Sequence, residues 1–360
     1  MPPPDEVRGL GEDCPAEFFR ILIEALGDSF DPAQAAAYDR IMRAWIPADP
    51  QVSPEIPPRV DVVYVLSRVT LGADIKITSP ILDAMKRRFP DARIVLVGTR
   101  KSAELFAADP RIGHLEASYP RSGPVSLRLA FARELRDRLA GEHRIVVDPD
   151  SRITQLGLFP VCEPERAFHF RSRTAGGETG ANLSVLTEEW LQAMFGVSGQ
   201  AYLAPERADV PVDRAAAAVS LGVGENESKR VGGDFETKLI RALGERFETV
   251  WVDRGVGGEE ARRVTAAVED SGASDRVRFW EGSFAGFASI IERSGLYVGY
   301  DSAGQHAAAA AGTPLVTVFA GASSERFRSR WEPFGSGPVS VIRADGLTPA
   351  ACYAALLEKL

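Results

Sequence analysis

The chain has 360 residues, 45% hydrophobic and 26% charged, with a formal net charge of −8 at pH 7. That length accommodates two domains with separate cores, and the acidic balance gives no broad basic face for nucleic acid. Three cysteines, Cys14, Cys162 and Cys352, stand far apart without C-x-x-C spacing, which argues against a disulfide framework or zinc site and for a reducing compartment.

Residues 1–58 read as a helical N-terminal extension. "PAEFFRILIEALG" and "DPAQAAAYDRIMRAWI" carry apolar residues at helical spacing, and Asp31-Pro32 gives the second a cap and a first-turn proline. The proline-spaced "PADPQVSPEIPPR" is then an extended linker. The N-terminus lacks a basic stretch followed by an apolar one, and no apolar run approaches the roughly 18 residues of a membrane span. A cytoplasmic protein without a transmembrane segment is expected.

From Val60 the chain alternates β-branched runs with amphipathic helices. "VDVVYVL", "ARIVLVG" and "HRIVVD" read as strands; "IKITSPILDAMKRRF", "KSAELFAA" and "PVSLRLAFARELRDRL" read as helices. An irregular middle follows, then a helix at "ANLSVLTEEWLQAMFG". A second set has strands at "AAAVSLG", "ETVWVD", "RVRFW", "GLYVG" and "PLVTVF". Its helices fall at "GDFETKLIRALGERF", "GGEEARRVTAAVEDS", "FAGFASIIERS" and an alanine-rich stretch after residue 302. Near-continuous apolar strands separated by helices indicate α/β architecture with parallel sheets covered on both faces. Two Rossmann-like domains facing a cleft are expected, over 59–205 and 206–345, with a C-terminal helix over 346–360.

Ligands of open parallel sheets bind outside the carboxyl ends of the strands. "YDSAGQHAAAAAGTP" lies at such an end. Asp301 reads as the N-cap of the alanine helix, whose free first-turn N–H groups and positive dipole end suit a diphosphate. Ser302 and His306 would add donors and Gly304 would permit close approach. "VSLGVGENESKRVGGDF" supplies Gly222, Gly224, Lys229 and Arg230; the third glycine of a dinucleotide fingerprint is missing, but the basic pair suits phosphate oxygens. In the first domain, Asp74 follows a strand beside Gly72, where a carboxylate facing the cleft would serve as general base, or simply cap a helix.

In their order these motifs resemble glycosyltransferase family 9, the ADP-heptose:lipopolysaccharide heptosyltransferases and their relatives, over about Val60 to Gly335. "GADIKITSPILDAMKRRFPDARIVLVG" places Asp74 six residues before Pro80, as the family's Gly-Asp motif does. Lys229-Arg230 matches the family's basic pair, and "DSAGQHAAAAAGTPLVTVFAG" its D-[ST]-G-x-x-H signature. Three departures stand out: Ala73 intrudes before the acid, Ala303 takes the place of the motif glycine with Gly304 one position later, and Ala320-Gly321-Ala322-Ser323 replaces G-P-[ST].

The resemblance implies a GT-B fold and an inverting, metal-independent glycosyltransferase using a nucleotide-diphosphate sugar, ADP-sugar first, with GDP, UDP or dTDP as alternatives. It makes Asp74 the catalytic base, with Lys229, Arg230, Asp301, Ser302, Gly304 and His306 around the diphosphate. Glu259 or Glu260 would reach a ribose hydroxyl, Ser283 and Phe284 would lie near the base, and Arg152 and Gln155 near the acceptor. The acceptor would be a glycan or lipid-linked hydroxyl, met in the cytoplasm or by peripheral contact with the inner membrane face. The alternatives are an inactive nucleotide-sugar- or glycan-binding protein, a nucleotide-sugar 2-epimerase and a nicotinamide-dependent oxidoreductase.

Overall fold

The structure is a computed structural model that describes residues 54–120, 125–157, 159–177, 179–223, 227–255, 257–321 and 324–360. Both expected N-terminal helices, Cys14, Gly224, Ala322 and Ser323 lie outside the described residues. Residues 54–61 carry no helix or strand. The described chain divides into two units, the first made of residues up to Ala103 and Pro110–Gln200, the second of Glu104–Asp109 and Ala201–Leu360.

The first unit holds a parallel five-stranded sheet of β1 (Val62–Leu66), β2 (Arg93–Gly98), β3 (Ile112–Glu116), β4 (Arg144–Asp148) and β5 (Ala167–His169). Their spatial order is β3-β2-β1-β4-β5. The valine- and isoleucine-rich β4 is buried at every position, as a strand covered on both faces must be. A π turn, Asp74–Thr78, runs straight into helix α1 (Ser79–Arg88). Helices α2 (Val125–Arg138) and α3 (Leu183–Phe195) complete the unit. Asn182 caps α3 by accepting the Ser184 N–H, and Gly196 ends it in the left-handed region at φ 68°.

The second unit runs β6 (Ala216–Ser220), α4 (Phe235–Arg246), β7 (Thr249–Asp253), α5 (Gly258–Ser271), β8 (Val277–Trp280), α6 (Phe284–Arg293), β9 (Leu296–Tyr300), α7 (Ala303–Ala311) and β10 (Leu315–Phe319). It ends with α8 (Glu325–Trp331), β11 (Val339–Arg343) and α9 (Pro349–Leu357). The six parallel strands lie in the order β11-β10-β9-β6-β7-β8. Val219, Val250, Val252, Val298, Val316 and Val318 project into a core closed by Leu239, Ile240 and Leu243 of α4. Cys352 and Leu356 of α9 belong to the same core, so the 346–360 helix is part of this unit. Alanines 307–309 of α7 are buried, small enough to bring the helix close to the sheet.

In both sheets the strand order reverses once, between β1 and β4 and between β6 and β9. Those switch points are where doubly wound sheets bind ligands.

Candidate functional site

At the second switch point the loops after β6, β9 and β10 converge. Lys229 ends a short 3-10 turn, Glu227–Lys229. Its Nζ donates to Asp301 Oδ2 at 2.8 Å and lies 5.9 Å from the Phe327 ring centre. Gly321, at φ 62°, has no room for a side chain because the Ser228 carbonyl occupies that space. Gln305, which sequence reading passed over, donates to Asp301 Oδ1 at 2.6 Å and accepts from Thr317 Oγ1 at 2.8 Å. Asp301 is therefore gripped between Lys229 and Gln305. The signal was the i to i+4 spacing of Asp301 and Gln305.

This geometry corrects several expectations. Asp301 does not cap α7; the N-cap is Ser302, which makes no side-chain cap bond. The first-turn N–H groups of α7 are thereby left to a ligand. Gly304 does admit a close approach, but by the Tyr297 hydroxyl. His306 is buried, with its ring 5.8 Å from that of Trp331, so it packs the base of the site. Arg230 is engaged by Glu236 and Glu227. Glu236, itself buried, also accepts from Arg263 and from the Tyr300 hydroxyl. That network ties α4, α5 and β9 together and leaves Lys229 as the cation at the helix end.

At the ends of β6 and β7 the acid in position is Glu260. A Cβ on Gly222 would come within 2.8 Å of its Oε1, and one on Gly255 would collide with it. Glu259 is exposed on the outer side of α5. Ser283 is the N-cap of α6 and accepts the Gly286 N–H at 3.2 Å, with Phe284 half-buried behind it. Trp280 covers Gly282 and Gly286 and donates through Nε1 to the Ser283 carbonyl.

In the first unit, Asp74 opens the π turn with zero exposure. The sequence reading has it facing a cleft or capping a helix; its carboxylate is closed in by donors. Oδ2 accepts from Ser67 Oγ at 2.7 Å; Oδ1 accepts from the Arg68 N–H at 2.6 Å and from Thr78 Oγ1 at 2.9 Å. Burial pushes its pKa above the usual carboxylate value, against the pull of those donors. The bonds hold the loop after β1, where the β-branched Val69 sits at φ 78°. A β-branched residue there is strained by about 1–3 kcal/mol. A π turn beside a strained loop is a frequent mark of a functional site.

Beyond the end of β4, Asp150 accepts from His169 at 2.9 Å and from the Arg173 N–H at 2.7 Å, while the Arg68 guanidinium donates to its carbonyl. Burial works to raise the Asp150 pKa, but His169, Arg173 and Arg68 outweigh it and hold the carboxylate well below its ordinary value. For His169 burial works downward, and the Asp150 bond with the charges of Asp148 and Asp150 carries it above the imidazole norm. Gln155 is fully buried and accepts from Arg128 at 2.9 Å, so it braces this loop; Arg152 is half-buried beside it. Burial raises the Cys162 thiol to about 12 and the Cys352 thiol to about 11, which leaves both inert.

Among the described residues no group of three or more His, Cys, Asp or Glu is placed to hold a metal, and no helix is long and apolar enough to cross a membrane.

The family model of glycosyltransferase family 9 (heptosyltransferase) matches residues 238–343. That span includes Glu260, Asp301 and Ser302 and lies outside Asp74 and Lys229. Lipopolysaccharide heptosyltransferase 3 of Escherichia coli is 21% identical over 302 residues, which cover 76% of this chain and 86% of that protein. The structure of E. coli heptosyltransferase WaaC with ADP-2-deoxy-2-fluoro heptose aligns with a TM-score of 0.59 at 17% identity, over 83% of this chain and all of that one. E. coli ADP-heptose lipopolysaccharide heptosyltransferase II aligns at 0.56 and 15% identity, over 82% and 97%. The two-unit α/β fold is thus of their GT-B kind, and the motif resemblance has a counterpart in sequence and fold.

Proposed function

We propose that this glycosyltransferase family 9-like chain moves a sugar from a nucleoside diphosphate sugar to a hydroxyl of a glycan or lipid-linked acceptor, with inversion at the anomeric carbon. The observation that carries the reading is the end of α7: uncapped N–H groups, with Lys229 held against Asp301 beside them. Those groups would bind the diphosphate, and their fixed positive charge would stabilise the leaving nucleotide without a divalent ion. Glu260 would take a ribose hydroxyl, and Ser283 and Phe284 would border the base. An adenine nucleotide is the first choice, since a structural relative was solved with ADP.

Asp74 would accept the proton of the acceptor hydroxyl as its oxygen attacks. A carboxylate made more basic by burial suits that role. Reaction then requires the acceptor hydroxyl to replace one donor, such as Ser67 Oγ, on the carboxylate. The lipopolysaccharide relative suggests a cell-envelope acceptor, reached from the cytoplasm with at most peripheral membrane contact. A second reading, a nucleotide-sugar-binding protein without turnover, is favoured by the zero exposure of Asp74.

Calorimetric titration with ADP-, GDP-, UDP- and dTDP-sugars tests the proposal. One nucleotide class should bind the wild type and lose most affinity in Lys229→Ala. No binding by any of them overturns it. Binding without release of nucleoside diphosphate, across a panel of glycan acceptors, selects the second reading.

A further inference from the structure

Two hydroxyls beneath the α7 N-terminus have no work in the fold as described. Tyr297, on β9, has zero exposure, and its hydroxyl makes no hydrogen bond among the described residues. Ser302 Oγ is likewise buried without a partner among the described residues, although its residue stands at the N-cap, where serine ordinarily bonds its own helix. The two are neighbours. Burial raises the Tyr297 pKa, and Ser302 and Ser220, close by, pull against it; no bond of acceptable geometry joins them to its hydroxyl.

The position of the Tyr297 hydroxyl is set by two bare glycines. A Cβ on Gly304, in the first turn of α7, or on Gly299, in β9, would collide with it. This accounts for one departure from the family motif: glycine stands at 304, where the tyrosine hydroxyl fills the space of a side chain, and alanine stands at 303. A phenylalanine at 297 would fill the same volume without stranding a polar atom, and a buried unpaired hydroxyl costs stability.

We propose that Tyr297 is a positioning residue for the phosphate end of α7: in the nucleotide complex the Ser302 side chain turns so that its Oγ accepts from the Tyr297 hydroxyl and its own hydrogen points to a diphosphate oxygen. The proposal rests on the nucleotide reading given above. Ser302 touches the ligand; Tyr297 acts through it. In the relay each hydroxyl donates once, from tyrosine to serine to phosphate, and the negative charge at its end strengthens both bonds.

The test is calorimetry on the full chain with whichever of ADP, GDP, UDP and dTDP the wild type binds, using Tyr297→Phe, Ser302→Ala and the double variant. Tyr297→Phe should weaken binding about 3- to 10-fold, and Ser302→Ala about 10-fold. The double variant should be no weaker than Ser302→Ala alone. The matching free nucleoside, which lacks phosphates, should bind Tyr297→Phe and wild type equally. The melting temperature of Tyr297→Phe should equal or exceed that of the wild type, since a stranded hydroxyl is removed.

Wild-type binding with Tyr297→Phe within twofold of it overturns this proposal and leaves the nucleotide reading standing. Losses that multiply in the double variant, or an equal loss for the nucleoside, overturn it as well by making Tyr297 a packing residue. A wild type that binds none of the four nucleotides overturns both.

Discussion

Asp74 and Asp301 each follow a strand at the switch point of their own unit and lead into a helix. Their surroundings differ. Asp74 receives two hydroxyls and one backbone N–H, without a cation on its oxygens, and burial makes it more basic. Asp301 is ion-paired to Lys229 and held by Gln305. One carboxylate is prepared to gain a proton; the other is an anchor for a cation. A sequence motif that delivers an acid to a strand end therefore does not state its role. The donors around it do.

The sharpest way to break this contrast is to neutralise each acid's partner chemistry. Asp74→Asn keeps the shape of the loop but cannot accept a proton. Nucleoside diphosphate release from the donor, in the presence of acceptor, should fall by about 10²- to 10⁴-fold, while nucleotide affinity measured by calorimetry stays within twofold. Equal loss of affinity would make Asp74 a structural residue only. Lys229→Ala, on the other side, should weaken nucleotide binding by about 10- to 100-fold. A variant that binds as tightly as wild type would mean that Lys229 serves Asp301 alone.

A smaller effect separates two adjacent acids. Glu260→Gln should weaken nucleotide binding about 5- to 20-fold and Glu259→Gln by less than twofold, both read by calorimetry. Equal effects would remove Glu260 from the site. The distinction was available in the sequence: Glu260 lies four residues before Val264, a buried residue of α5, and so shares its face, whereas Glu259 is turned by about 100°. Helix phase was the missing step.

Long apolar strands such as β4 and β10 were legible because burial on both faces demands uninterrupted β-branched residues. The strands that escaped, β3, β5 and β11, are edge strands of their sheets. Those of β3 and β11 are half exposed, and β5 has only three residues, so neither run nor alternation marks them. In the site, motif spacing located Asp301, Ser302 and Lys229. It did not reveal that Lys229 pairs with Asp301, that Arg230 is taken by Glu236, or that Tyr297 underlies Gly304. Those are contacts between residues 6 to 72 apart in sequence, which a local pattern does not encode. Asp74 was placed by its motif, but its burial depends on Ser67, Arg68 and Thr78 together.

The first unit contains a further contrast, between Asp74, raised by burial, and the Asp150–His169 pair, in which the carboxylate is lowered and the imidazole raised. Because the folded His169 binds its proton more tightly than the unfolded chain does, the pair contributes stability that is fully present below the unfolded histidine pKa of about 6.5. That contribution is lost as pH rises through the higher folded value. The sign is opposite to that of Asp150, whose lowered pKa withdraws stability only as pH falls through the acid range. Thermal melting from pH 6 upward should therefore show a decline in the wild type that is flattened in His169→Gln, with a difference of a few degrees at pH 6 that shrinks toward alkaline pH. Asp74 does not produce this profile: a raised carboxylate costs stability as pH climbs past the ordinary carboxylate value, and it does so in His169→Gln as well. Parallel melting curves for the two proteins across the range would show that His169 is neutral in the fold and that its bond to Asp150 is an ordinary hydrogen bond.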